Sequence, residues 1–270
     1  MNYCPISINA AEYQKFKTWL YNIAGIDLKE TKIKLVEGRL ACRLKYYQLE
    51  SYTAYFKMIS SPNEIAEAQM AIDLLTTNET YFFREPKHFE FLKNKLLTDS
   101  TKRSNFRLWC AASSTGEEPY TLAMTLAESL GTTPWQIVAS DINLQVLEKA
   151  RSGHYALERA HNISKNLLQK YCLKGSGSQQ GTFLIQQVLR DKIQFKQINL
   201  INALPDIGKF DVIFLRNVMI YFDRETRIHV VNKIFDLLKP GGYLFVSHSE
   251  SLVGINNRLK IVQPSIFIKS

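Results

Sequence analysis

The chain has 270 residues, 46% hydrophobic and 22% charged, which is the range of a globular protein with a sizeable core and without low-complexity tracts. No apolar run reaches the roughly 20 residues of a membrane helix, and the first residues lack the basic-then-apolar pattern of a signal peptide. Cys4, Cys42, Cys110 and Cys172 are scattered without a Cys-x-x-Cys pair, which disfavours a disulfide framework or zinc site and fits a reducing cytoplasm. The net charge of +9 favours an acidic partner, whether nucleic acid, an anionic membrane surface or a carboxylate-rich protein.

Residues 9–75 read as helices. Asn9 with Glu12 resembles a capping box, and Tyr13, Phe16, Leu20 and Ile23 then recur at helical spacing. A second helix is expected over residues 30–49, with Ile33, Val36, Leu40, Leu44 and Tyr47 as its apolar stripe. Lys32, Arg39 and Arg43 line one flank of that stripe, and Lys34 and Lys45 fall on the other. These cations either snorkel around a buried face or grip an acidic partner. Ser61-Pro62-Asn63-Glu64 reads as a capped helix start, with the helix running to about Leu75. The polar stretch from Thr76 to Thr80 and the aromatic run after it mark a domain boundary.

From residue 105 the pattern changes to strand–helix alternation, the signature of βαβ units and a largely parallel sheet. Strands are expected over residues 106–111, 136–140, 210–216 and 243–248, and helices over 117–130, 143–152 and 224–238. Residues 261–262 and 266–269 read as a closing antiparallel hairpin. Residues 154–198 interrupt the alternation with a helix near 164–171 and short alternating runs at 182–187 and 192–198, read as a small inserted antiparallel subdomain. The expected organisation is a helical domain over 1–75, a linker and helix over 76–104, and an α/β domain over 105–270 with a β-subdomain at about 172–198.

The chemistry concentrates on the strand–turn–helix around Ser114-Thr115-Gly116-Glu117-Glu118-Pro119-Tyr120. In an α/β protein a ligand crevice forms at the carboxyl end of such a strand, where small residues allow close approach. Two carboxylates at the helix start repel phosphate but suit hydroxyls, amino groups or a cation. Asp141 ends the next strand, where an acid accepts ribose hydroxyls, and the pair suits a nucleoside without a diphosphate. Gly175 and Gly177 with Gly181 neither follow a strand nor open a helix, so they read as a hairpin turn rather than a dinucleotide fingerprint. There is no P-loop, and no histidine has a metal-ligand partner at helical spacing, so no metal is expected.

These residues closely resemble the CheR family of chemoreceptor glutamate methyltransferases. The matching runs are Thr76-Thr77-Asn78-Glu79-Thr80-Tyr81-Phe82-Phe83-Arg84, Ser114 to Tyr120, Ala139-Ser140-Asp141-Ile142, Phe214 to Asp223, Leu238-Lys239-Pro240-Gly241-Gly242 and His248-Ser249-Glu250. They occur in family order and cover nearly the whole chain. The resemblance implies a class I, Rossmann-like methyltransferase domain after an all-helical domain. It implies methyl transfer from S-adenosylmethionine to receptor glutamates, giving methyl esters and S-adenosylhomocysteine. Asn78, Thr80, Arg84, Glu118, Asp141, Asn199, Leu200, Arg216 and Asn217 would bind the cofactor, with Glu118 at its ammonium and Asp141 at its ribose. Arg84 and Tyr221 would flank the transferred methyl; a core role for Tyr221 and a salt bridge of Arg84 to Glu85 or Glu118 are the plainer readings. Lys32, Arg39 and Arg43 would dock the acidic methylation helices of chemotaxis receptors. The β-subdomain would take a receptor's C-terminal tail peptide. The implied protein is a cytoplasmic monomer, without membrane insertion or nucleic-acid substrate. The rival readings are a nucleic-acid methyltransferase and a non-enzymatic cofactor-sensing scaffold. Against the first, the run Arg216 to Tyr221 lacks the prolines of an amine-gripping turn.

Overall fold

The computed structural model describes residues 6–96, 105–131 and 133–270; Cys4 and the linker residues 97–104 lie outside these. Two compact units emerge, one of Met1–Thr77 with Tyr221–Thr226, the other of Asn78–Ile220 with Arg227–Ser270.

The first unit is helical. Helix α1 (Ala10–Ala24) begins at the expected capping box, with Asn9 accepting from the Glu12 amide and Glu12 accepting from the Asn9 amide. The other Glu12 oxygen accepts from the amide and hydroxyl of Thr53, so one residue caps α1 and ties it to a later helix. Helix α2 (Ile33–Tyr46) follows a 3-10 turn at Glu30–Lys32 and is shorter than its periodicity suggests. Helix α3 (Tyr52–Ile59), which the sequence reading passed over, is capped by Ser51. Helix α4 (Ile65–Leu75) starts later than expected: Ser61 to Glu64 forms a turn closed by the Glu64 amide on the Ser61 carbonyl, and no side chain caps the helix. Pro62 thus serves a turn rather than a first helical turn. The aromatic core here centres on Phe16, packed against Tyr52, Tyr55 and Phe56.

The second unit opens with α5 (Lys87–Phe91), which continues as a π-helical turn at Leu92–Leu96. Strand β1 (Phe106–Cys110), helix α6 (Glu117–Leu130), strand β2 (Trp135–Asp141) and helix α7 (Leu144–Ser152) form the first βαβα run. Then come β3 (His154–Ala156), α8 (Lys165–Tyr171), β4 (Cys172–Lys174), β5 (Thr182–Ile185), α9 (Gln187–Arg190) and β6 (Ile193–Gln197). Strand β7 (Phe210–Phe214), helix α10 (Arg224–Leu237), and strands β8 (Leu238–Phe245), β9 (Leu259–Gln263) and β10 (Ile266–Lys269) complete the chain.

The main sheet has seven strands in the order β6-β2-β1-β7-β8-β10-β9. Strands β6 to β8 run parallel, and β10 and β9 close the edge antiparallel, as expected. Strand β7 is buried at every position, the pattern of a strand covered on both faces. The inserted sheet has order β3-β5-β4 and is antiparallel. Its extent differs from the expected 172–198. It recruits residues 154–156, and the run at 192–198 leaves it to pair with β2 in parallel as the sheet edge. An alternating pattern cannot tell a half-covered edge strand of a parallel sheet from an antiparallel one. Among the described residues no helix is long and apolar enough to cross a membrane.

Candidate functional site

Chain order reverses between β1 and β7, and in open α/β sheets ligands bind outside the carboxyl ends of strands at such a switch point. The turn after β1 and the residues after β7 meet there. The Ala111 amide donates to the Phe214 carbonyl at 2.9 Å. Gly116 caps α6 with φ 97°, and a Cβ placed on it would lie 2.7 Å from the Tyr155 hydroxyl and 2.9 Å from the Ala150 Cβ. The glycine therefore serves the packing of this turn on α7 and Tyr155 as well as its backbone conformation. Tyr155 donates to the Thr115 carbonyl at 2.7 Å and so holds the turn from below.

The two acids of the helix start do different things. Glu117 is fully buried and pairs with Arg159, whose guanidinium also donates to the Thr80 carbonyl. Glu118 accepts from Arg216 Nη1 at 2.6 Å and from the Cys110 thiol at 3.2 Å. Burial, with Glu118 adding to it, pushes the Cys110 thiol well up, so it stays a thiol and a donor. Arg216 Nη2 donates to the Arg84 carbonyl at 2.6 Å and lies 3.2 Å from Glu85 Oε2. One guanidinium thus serves two carboxylates, leaving an excess of negative charge in a buried place.

Asp141 ends β2 with one oxygen accepting from the Ser114 amide at 2.8 Å and the other from the Asn143 amide at 3.0 Å, which orients the carboxylate. The Ser114 hydroxyl donates to the Asn78 carbonyl at 2.7 Å. Asn199 and Leu200 follow β6, whose Gln197 is the register partner of Asp141. Asn217 donates its amide to Glu250 at 3.0 Å and its side chain to Ser247 at 2.8 Å. Burial raises the Glu250 carboxyl, against the lowering by amides of Ser247, Asn217, Met219 and Ile220. Phe83, Glu85, Ser114 and Asn217 all hold left-handed backbone, a strain that collects at functional sites.

Of the expected cofactor residues, Asn78, Thr80, Arg84, Glu118, Asp141, Arg216 and Asn217 thus join one network of hydrogen bonds and turns. Arg84 itself donates to the Glu79 carbonyl at 2.9 Å and lies over the Tyr81 ring. The salt bridge of Arg84 to Glu85 or Glu118 does not form; both carboxylates go to Arg216.

Tyr221 and the expected docking cations lie in the helical unit. Tyr221 ends a 3-10 turn, is partly exposed rather than core, and its carbonyl accepts from the Asp27 amide at 2.8 Å. Arg39 donates to the carbonyls of Leu75 and Thr76 at 3.0 and 2.8 Å, and to the Thr77 hydroxyl at 3.3 Å. Burial lowers its pKa, with Tyr221 opposing. Arg43 makes a two-pronged bond to buried Glu67, at 2.8 and 2.6 Å, with Tyr55 and Tyr47 completing the carboxylate. Arg43 is therefore a structural clamp between α2 and α4, not a cation held out to a partner. Lys32 is exposed.

The sequence reading also missed a cluster. The histidines do not all stand apart: His88 and His248 stack at 4.7 Å, and both face Glu85. The Glu85–His88 spacing of three was readable, but His248 arrives from another strand end.

The parallel sheet, the switch-point turn without a phosphate cradle, and the acids beside it suit a nucleoside-binding α/β domain, and the family models make it an S-adenosylmethionine-dependent methyltransferase. The family model "CheR methyltransferase, SAM binding domain" matches residues 78–268, and "CheR methyltransferase, all-alpha domain" matches residues 11–76. The chain is 39% identical over 270 residues to the chemotaxis protein methyltransferase of Escherichia coli strain K12, covering 98% of this chain and 93% of that one. It is 40% identical over 259 residues to chemotaxis protein methyltransferase 2 of Pseudomonas aeruginosa, covering 95% and 92%. Among solved structures, TrmN from Thermus thermophilus aligns with a TM-score of 0.40 at 15% identity, over 66% of this chain and 47% of its own. The chain belongs to the CheR methyltransferase family. Its activity is S-adenosylmethionine-dependent methylation in chemotaxis.

Proposed function

We propose that this chain methylates glutamate side-chain carboxylates of chemotaxis receptors, producing glutamate methyl esters and S-adenosylhomocysteine in the cytoplasm. The observation that carries the cofactor reading is the excess of carboxylate around Arg216: Glu85 and Glu118 share one guanidinium. Those acceptors fit the ammonium of a cationic nucleoside and would reject a phosphate. Asp141, fixed by two amides, suits a ribose diol.

The bound cofactor supplies an electrophilic methyl group. In this reading Glu118 binds the ammonium, Asp141 the ribose, and Asn199 with Leu200 borders the adenine. Asn78, Thr80, Arg216 and Asn217 shape the rest of the pocket. A glutamate with pKa about 4.3 is already ionised at neutral pH and needs no general base. Arg84 then orients the carboxylate or the cofactor, and catalysis is positioning with partial desolvation. The exposed Lys32, with Arg39, docks acidic receptor helices, and the β3-β5-β4 sheet takes a receptor tail peptide along its edge.

The deciding experiment supplies tritiated cofactor to receptor-containing membranes and, separately, to RNA. Label on receptor that alkali releases as volatile methanol is expected. Label on RNA would reverse the substrate assignment, and alkali-stable protein label would reverse the ester. Charge reversal at Lys32 is expected to raise KM for receptor and leave cofactor affinity intact.

A further inference from the structure

Residues 78–86 form neither helix nor strand, yet this strip carries Asn78, Thr80 and Arg84, three of the cofactor residues assigned above. Its backbone polar groups therefore need partners on other elements. The Asn78 carbonyl accepts from the Ser114 hydroxyl at 2.7 Å, and the Phe83 amide donates to the Thr121 hydroxyl at 3.1 Å. Between these two ties, Arg159 Nη2 donates to the Thr80 carbonyl at 2.8 Å and also to Glu117.

The form of the Arg159 contact is a second observation. Arg43 puts two nitrogens on the two oxygens of Glu67, a clamp on a single carboxylate. Arg159 instead spends one nitrogen on a carboxylate and a backbone carbonyl together, and its buried Nε has no partner among the described residues. The guanidinium is placed to bridge α6 and the strip rather than to saturate Glu117. Glu117 is a fixed anchor for that bridge: it is fully buried, and its other oxygen accepts from the Thr115 hydroxyl at 2.6 Å.

Arg159 is carried by the inserted sheet. It lies in the 3-10 turn Leu157–Ala160 directly after β3, and the Leu157 amide donates to the Gly181 carbonyl at 2.8 Å, just before β5. Strand β3 supplies a further support through Tyr155, whose hydroxyl holds the Thr115 carbonyl at 2.7 Å. The Tyr155 ring meets Phe82 of the strip edge-on at 5.2 Å and stacks on Phe183 of β5 at 5.6 Å. The strip and the turn after β1 thus rest on the same short stretch, residues 154–160. Given the cofactor placement proposed above, on which this rests, we propose that Arg159 is a positioning residue for S-adenosylmethionine. From the inserted sheet it holds the Thr80 part of the strip in place against α6.

The test measures S-adenosylhomocysteine binding to the full chain by calorimetry, well below the melting temperature of each variant. Arg159→Ala should bind about 10-fold more weakly. Because that change also strands the buried Glu117, the double variant Arg159→Ala with Glu117→Gln removes the unpaired charge and should regain most of the lost melting temperature. Its affinity should stay low, since Thr80 remains untied. Arg159→Lys, whose single nitrogen can serve both acceptors, should recover most of the affinity. Affinity that returns with stability in the double variant would make Arg159 a countercharge only and overturn the proposal. Wild-type affinity in Arg159→Ala while Asp141→Ala loses it would also overturn it, as would a lysine variant no better than alanine. Wild-type affinity in both Arg159→Ala and Asp141→Ala would overturn the cofactor placement itself, and the role of Arg159 with it.

Discussion

Arg216 Nη1 donates to Glu118 Oε2 at 2.6 Å, joining the second residue after β7 to the first turn of α6 across the switch point. Glu118→Ala leaves the buried guanidinium with Glu85 alone and is expected to cost about 2 to 4 kcal/mol of stability in urea unfolding. Glu118→Gln keeps a hydrogen bond but removes the charge. It should be milder in stability and still weaken S-adenosylhomocysteine by about 10-fold in calorimetry. Unchanged affinity in the glutamine variant would remove Glu118 from the ammonium site.

Asp141 separates cofactor binding from folding in the opposite sense. Its two amide bonds are local, so Asp141→Ala should cost only about 1 to 2 kcal/mol of stability. The loss of two charge-assisted bonds to ribose should lower cofactor affinity about 100-fold. Wild-type affinity in a folded Asp141→Ala protein would move the ribose elsewhere.

In the helical unit, Glu67 gives a pH signature. Burial pushes its carboxyl up, but the hydrogen bonds from Arg43, Tyr55 and Tyr47 outweigh it and hold the pKa below the ordinary 4.5. A carboxyl depressed on folding stabilises fully above about pH 4.5 and loses that contribution as pH falls through its lower folded value. Arg43→Ala should cost about 3 to 5 kcal/mol at pH 7, because a buried carboxylate loses its countercharge. The gap between variant and wild type should close as acid neutralises Glu67 in both. A gap independent of pH would assign the cost to lost packing.

Gly116→Ala should destabilise by about 2 to 4 kcal/mol, since its Cβ meets Tyr155 and its φ is left-handed. Removing the obstructing hydroxyl with Tyr155→Phe should recover part of that loss in the double variant. Additive losses would instead place the cost in the backbone and the Ala150 contact.

Most of the elements were legible because their signals are local. Asn9 and Glu12 mark the start of α1, Gly131 and Gly153 the ends of α6 and α7, and buried runs the central strands. The ends of α2 and the start of α4 were not; at α4 a turn with proline imitates a helix start until its hydrogen bonds are seen. Among candidate site residues, Asp141 and Glu118 were marked by position after a strand. What Arg43, Arg216 and His88 do was hidden for one reason. Each is defined by a partner distant in sequence: Glu67, Glu118 and His248. A regular spacing of cations along α2 carried no information about which of them already had a carboxylate.

The short segment Tyr221–Thr226 groups with the helical unit although the chain on both sides of it belongs to the other. Its bonds to that unit include Tyr221 O to the Asp27 amide and Asp223 to the Tyr21 hydroxyl. The boundary is therefore crossed three times, after Thr77, after Ile220 and after Thr226. No single cut yields both halves whole. A fragment ending at Thr77 would lack part of its own fabric, and a chimera that swaps only the first 77 residues would pair a foreign helical unit with the native hexapeptide. On the proposed receptor-docking role of the helical unit, exchange of receptor preference between relatives should then require transplanting both pieces together.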